Sequence, residues 1–171
     1  MAMKPKLSLI PAILALLISA GAFAQEKKPD PKFYIFICFG QSNMEGAGPI
    51  TDAERTVDPR FQMLACVDMP QLDRKMGQWY PATAPLCRGN SKVCPADYFG
   101  RTMIANLPPD VKVGVLNVSV GGCSIDLFDK DKLNDYIPRQ PQWMKSMIKQ
   151  YDDNPYQRLV DMAKLAQKDG V

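Results

Sequence analysis

Two short apolar runs constrain this chain more than any other feature: "FYIFICF" at 33–39 and "VKVGVLNVSVGG" at 111–122, each leading into glycine. Dense in β-branched and aromatic residues and lacking polar alternation in the first run, they read as strands buried on both faces of a parallel sheet. Between them, "PADYFGRTMIANLPPD" predicts a helix: Pro95 fits the first turn, Tyr98, Phe99, Met103 and Ile104 share a face, and Pro108-Pro109 stops it. Strand, helix, strand is the signature of an α/β fold. Residues 48–94, rich in Pro, Asp and Met, are expected to be long loops with short elements.

After Cys123 a polar loop leads to "NPYQRLVDMAKLAQKDGV", the clearest helix in the sequence. Asn154 suits the N-cap, Pro155 the first helical position, and Tyr156, Leu159, Val160, Ala163 and Ala166 form an apolar stripe. Gly170 is placed for a left-handed cap, after which a glycine turn would deliver the chain into another strand. The sequence ends at Val171. At 171 residues and without internal repeats, the chain suits one domain.

The first 24 residues are of a different kind. Met1–Lys6 carries two lysines, Leu7–Phe23 is apolar, and Ala22-Phe23-Ala24 places small residues at the two key positions of a cleavage site. This reads as a signal peptide at 1–24, a polar linker at 25–32, and a domain at 33–171, secreted or periplasmic and free of the membrane once cleaved. Cleavage would remove two of the 21 basic residues, leaving them nearly balanced against 18 acidic ones, so nothing points to nucleic acid. The five cysteines would meet oxidising conditions, and Cys87 and Cys94 are the easiest pair to join, though spacing does not fix connectivity. With no histidine and no CxxC, a metal site is not expected.

A polar loop at the carboxyl end of a buried parallel strand is where open α/β sheets place ligands and catalytic groups. Gly40 permits a tight turn, Ser42 would present its hydroxyl there, and backbone N–H groups in such a turn face a developing oxyanion. Turn capping alone also explains Ser42 and Asn43.

The stretch "FICFGQSNMEG" resembles the nucleophile motif of the SGNH hydrolase superfamily, in the form found in carbohydrate esterase family six and the sialate O-acetylesterase-like proteins. "GVLNVSVGGCSIDLF" is similar to that family's second block, in which a glycine N–H joins the oxyanion hole. The resemblance covers 32–171 in outline and implies a three-layer α/β/α flavodoxin-like fold, incomplete at its carboxyl end. It implies Ser42 as nucleophile, oxyanion donors from Ser42 and Gly122 with Gly121 as fallback, substrate contacts at Gln41, Asn43 and Met44, and no cofactor. The implied partner is acetylated carbohydrate, xylan first and acetylated sialic acid second; oligomeric state stays open.

The resemblance also implies a histidine base oriented by an aspartate three residues before it, and a third oxyanion donor from Asn or Gln, none of which has a counterpart here. Asp126 and Asp129, at an ordinary carboxylate pKa of about 4, are poorly matched to removing a serine proton. Lys92 and Lys130, in solvated loops, would be mostly protonated near neutral pH. All four read as surface charges. Trp79, Tyr80 and Trp143 are either sugar-stacking surfaces or packing residues. The expectation is the amino-terminal part of an exported acetylesterase, inactive alone; the alternative is a non-catalytic carbohydrate-binding or structural remnant.

Overall fold

The computed structural model describes residues 28–171, so the signal-peptide reading lies outside the described residues. Both apolar runs are strands. β1 (Phe33–Gly40) and β4 (Lys112–Ser119) pair in parallel along their whole length, from Phe33 opposite Lys112 to Gly40 opposite Ser119. Two strands from the stretch expected to be loop complete the sheet. β2 (Phe61–Leu64) lies parallel to β4, and β3 (Trp79–Pro81) runs antiparallel to β2, giving the order β1-β4-β2-β3. Pro81 is tolerated in β3 because that strand sits at an edge.

Among the described residues six α-helices accompany the sheet: α1 (Ser42–Glu45), α2 (Asp52–Arg55), α3 (Pro95–Asn106), α4 (Leu133–Tyr136), α5 (Gln142–Ile148) and α6 (Pro155–Ala166). Alternation along the strands assigns their sides. Phe36 of β1 meets Phe99 of α3 with ring centroids 4.8 Å apart, and Phe61 of β2 lies under Gly100 of the same helix. Phe33 and Ile35 point the other way, against Gly170 beyond α6, and Phe39 meets Phe128 at 5.1 Å. The result is the three-layer α/β/α arrangement, with Val113, Val115, Leu116 and Val118 of the central β4 wholly buried.

Three details of the helices differ from expectation. The buried face of α3 is Ala96, Asp97, Gly100 and Ile104, while Tyr98 and Phe99 remain exposed. Asp97 turns inward because its carboxylate accepts the Cys94 N–H at 2.8 Å, and Gly100 because only a glycine fits against Phe61. The buried stripe of α6 is Pro155, Arg158, Met162 and Ala166, with Leu159, Ala163 and Leu165 half-buried. Arg158 is accommodated there by donating to the Cys66 carbonyl at 2.7 Å and pairing with Asp152. Asn154 caps α6 as expected, through the Gln157 N–H at 2.9 Å. Gly170, however, is not left-handed; an added Cβ there would lie 2.3 Å from the Phe33 carbonyl oxygen.

The chain then returns to the sheet. Val171 donates its N–H to Phe33 O at 2.9 Å and accepts the Ile35 N–H at 2.7 Å, a strand-like position alongside β1. The expectation of burial on both faces holds for β4 but not for β1, which lies last in the strand order and leaves Tyr34, Ile37 and Phe39 exposed.

None of the five cysteines is in a disulfide, which corrects the expected pairing. Cys94 opens α3, where its thiol lies 3.7 Å from Asn117 Nδ2, whereas the Cys87 thiol approaches Ser119 O at 3.6 Å and the Tyr151 hydroxyl at 3.4 Å. Burial pushes the Cys66 and Cys94 thiols up to about 12 and those of Cys38 and Cys123 up to about 11. They behave as small apolar side chains.

The Gly100 contact sets a testable sign. In an open helix surface Gly→Ala stabilises by about 1 kcal/mol. At Gly100 the new methyl would sit 2.0 Å from Phe61 ring atoms, so Gly100→Ala is expected to destabilise by about 1–3 kcal/mol, read from denaturant unfolding. A more stable Gly100→Ala protein would show that α3 does not press on β2 there.

Candidate active site

The geometry of the site begins with the common ending of β1 and β4. With Gly40 opposite Ser119, both strands release their chains side by side, and Val120 donates its N–H to Gly40 O at 3.0 Å. The Cys123 thiol approaches that same carbonyl at 3.6 Å. β1 turns into the single-turn α1 through Gly40 at φ +154°, and β4 turns back through Gly122 at φ +74°. Both angles are unfavourable for a residue with a Cβ.

Ser42 opens α1 and is exposed. Gln41 Oε1 accepts both the Ser42 N–H, at 3.1 Å, and the Ser42 hydroxyl, at 2.8 Å. One acceptor atom thus fits where two donors of the same residue converge. Asn43 is exposed beside it, whereas Met44 is half-buried and packs against the core, with its Cβ close beneath Gly40.

Asn117 ties α1 to β4. Fully buried, it donates Nδ2 to Met44 O at 2.7 Å and accepts the Ser119 hydroxyl at 2.7 Å. Ser119 is also fully buried, and Ser124 caps the following turn by accepting the Asp126 N–H at 3.2 Å. Ser42 and Ser124 are both exposed, but Ser42 is the one that directly follows β1 and opens α1, whereas Ser124 sits two residues beyond Gly122 as the cap of the next turn.

A second tie was not legible in the sequence. Glu45, the last residue of α1, pairs with Arg88, which has no exposed surface, and accepts the Gly121 N–H at 2.6 Å. Arg88 Nη2 also lies 3.1 Å from Met147 Sδ, while its Nε and Nη1 have no partner among the described residues. Glu45 is thus the carboxylate that balances this buried charge. Because Gly121 spends its N–H on Glu45, the fallback oxyanion role has no free donor in this arrangement. Gly122 keeps its N–H unspent among the described residues, and the Trp143 ring lies over it.

Three of the four charged residues weighed as substitute bases, Asp126, Asp129 and Lys130, are engaged in ion pairs. Asp126 and Asp129 both pair with Lys132, each at 3.4 Å. The Asp131 N–H holds the Asp129 carboxyl below its ordinary range, and pairing with Asp131 pushes Lys130 up, further from use as a neutral base. Among the described residues no three His, Cys, Asp or Glu side chains gather as metal ligands. A surface cavity of about 440 Å³ is lined by Asp68, Pro70, Asp73, Arg74 and Lys75, with no residue from α1 or from the turn after β4.

Residues 32–171 match the family model described as carbohydrate esterase, sialic acid-specific acetylesterase. Two solved structures are similar in fold. One, a protein from Arabidopsis thaliana, is 20% identical with a TM-score of 0.54 and aligns over 81% of this chain and 52% of its own. The other, NanS, is 20% identical with a TM-score of 0.50, over 81% of this chain and 49% of its own. The chain thus spans about half the length of either structure.

Removing one partner of a buried ion pair strands the other charge, at a typical cost of about 3–5 kcal/mol. Glu45→Ala is expected to lose stability in that range and to release the Gly121 amide to hydrogen exchange, because the mutation takes away both the balance for Arg88 and the acceptor for Gly121. Unfolding in denaturant and amide exchange check this; a change under about 0.5 kcal/mol would place the pair at the surface energetically.

Proposed function

The chain belongs to the sialic acid-specific acetylesterase family of carbohydrate esterases, and from that premise we propose that it supplies the nucleophile and part of the oxyanion hole of an O-acetylesterase. Ser42 Oγ attacks the acetyl carbonyl carbon, and the N–H groups of Ser42 and Gly122 face the oxygen on which negative charge develops. The observation that carries the reading is the doubly bonded Gln41 amide oxygen: a single oxygen already accepts the N–H and the hydroxyl of Ser42 at once. In this reading Gln41 gives way to the ester, and Gln41 and Asn43 border it, while Met44 acts through packing.

A serine hydroxyl is a weak nucleophile without an adjacent base. The sequence has no histidine, and Asp126, Asp129 and Lys130 are held in ion pairs with charged neighbours. We therefore assign the base to polypeptide outside these residues, where the resemblance implies a histidine. The substrate is an O-acetylated carbohydrate, from a xylan-type chain or from acetylated sialic acid. The leader at 1–24 supports action outside the cytoplasm, without a cofactor. The rival is a remnant that binds carbohydrate without hydrolysing it, and the lack of histidine favours it for the chain by itself.

The separating experiment expresses residues 25–171 alone and with the segment encoded downstream, and measures acetate release from an aryl acetate, acetylated xylan and acetylated sialic acid. The extended polypeptide is expected to turn over, with Ser42→Ala lower by on the order of a thousandfold or more, and the short form to show residual activity only. Turnover retained in Ser42→Ala would overturn the assignment. Comparable turnover by the short form, abolished by Ser42→Ala, would instead place a base within these residues.

A further inference from the structure

The structure separates the three aromatic residues that the sequence leaves open. Trp79 packs on Phe33 with ring centroids 4.8 Å apart and donates its indole N–H to Asp169 at 3.0 Å. The Tyr80 hydroxyl accepts the Lys75 N–H at 2.8 Å. Both rings are committed to packing. Trp143, the second residue of α5, is 56% exposed, and its indole N–H has no partner among the described residues.

Its position is specific. The six-membered ring of Trp143 closes over Gly122: a Cβ at that glycine would be 2.9 Å from Cη2 and 3.8 Å from Cζ3. The ring is held on a firm mount, since α5 follows Pro141 at its N-cap, buries Met144 and Ile148, and is tied by the Lys145 ammonium donating to Pro138 O at 2.7 Å. A partly exposed apolar ring is therefore held against the glycine whose N–H is proposed to receive the oxyanion.

Polar groups stand next to it. A cavity of about 350 Å³ is lined by Asp126, Lys132, Asp135, Tyr136, Arg139 and Gln140. Its Tyr136 hydroxyl accepts the Ser124 N–H at 2.9 Å and lies 3.7 Å from Met144 Sδ, so the cavity abuts the turn that holds Gly122. A half-exposed indole on Gly122, with a cavity of carboxylates, an amide and cations at the turn that follows, matches a pyranose, whose C–H face is apolar and whose rim carries hydroxyls.

Resting on the assignment of Ser42 and Gly122, we propose that Trp143 is the platform for the pyranose ring that bears the acetyl ester, with the adjoining cavity taking the neighbouring hydroxyls. The site then distinguishes an acetylated sugar from a simple acetyl ester through a residue that makes no contact with the reacting bond. Trp143 is a specificity residue in this scheme, and the two sources of an acetylated pyranose, a xylan-type chain and sialic acid, share the chemistry it recognises.

The test needs no turnover, because the chain contains only two tryptophans and the other is engaged in packing. Acetylated xylo-oligosaccharide and O-acetylated sialic acid are titrated separately into the whole chain, following tryptophan emission, acrylamide quenching and heat of binding. At least one sugar is expected to shift emission to shorter wavelength and protect it from quenching, and the arm that responds identifies the source. Trp143→Ala should abolish the optical change and weaken binding about five- to tenfold, with Trp143→Phe recovering most of the affinity. Trp143 being exposed, the thermal unfolding of both variants should match the parent. Absence of binding by either sugar, or equal affinity in Trp143→Ala, would overturn the proposal. Ser42→Ala is run in parallel: sugar binding that persists in it while an extended polypeptide hydrolyses acetate without Ser42 would defeat the nucleophile assignment and leave the platform standing.

Discussion

Glu45 joins three segments that are far apart in sequence through one carboxylate. It ends α1, pairs with the fully buried Arg88, and takes the N–H of Gly121 at 2.6 Å. A single turn of helix is marginal by itself, since nucleation fixes several residues for one hydrogen bond. α1 is therefore held mainly by what it contacts: Glu45 at its last residue and the Met44 carbonyl, which receives Asn117 Nδ2 from the interior of β4. These two ties set the position of Ser42 relative to the turn that carries Gly122. The exposed serine depends on buried polar contacts that themselves touch no substrate.

The arrangement also fixes which amides are spent. Glu45 consumes the Gly121 N–H and leaves that of Gly122, which a residue with a Cβ could not easily replace, given φ +74° and the overlying Trp143 ring. At the neighbouring strand tip, Gln41 takes the Ser42 donors through its amide oxygen. A neutral side chain that can rotate away covers these donors, in place of a fixed anion that would compete with an acyl oxygen.

The long elements were legible because each carries its own signal: the apolar runs of β1 and β4, and the Asn154-Pro155 start of α6. β2 and β3 were not, since they span only Phe61–Leu64 and Trp79–Pro81, and β2 owes its place to pairing with β4 and β3 to pairing with β2 rather than to local pattern. Periodicity also placed Tyr98 and Phe99 inward on α3, whereas the close approach to Phe61 turns Gly100 to the sheet. At the site, Ser42 stood out through its motif and its place after an apolar run. Arg88 did not, because "CRGNSK" looks like a solvated loop and the partner that draws the guanidinium inward is 43 residues away. The cysteines misled in the opposite direction: their number suggested cross-links, yet all five are free thiols and four of them are buried.

Covalent capture tests Ser42 as the nucleophile without reference to any one sugar. The polypeptide extended beyond residue 171 would be treated with an organophosphorus acylation mimic and mapped by peptide mass spectrometry. The account predicts one adduct, on the peptide carrying Ser42, lost in Ser42→Ala. An adduct on Ser124 or another residue, or an enzyme that hydrolyses acetyl esters while Ser42 stays unmodified at full inhibition, would contradict it.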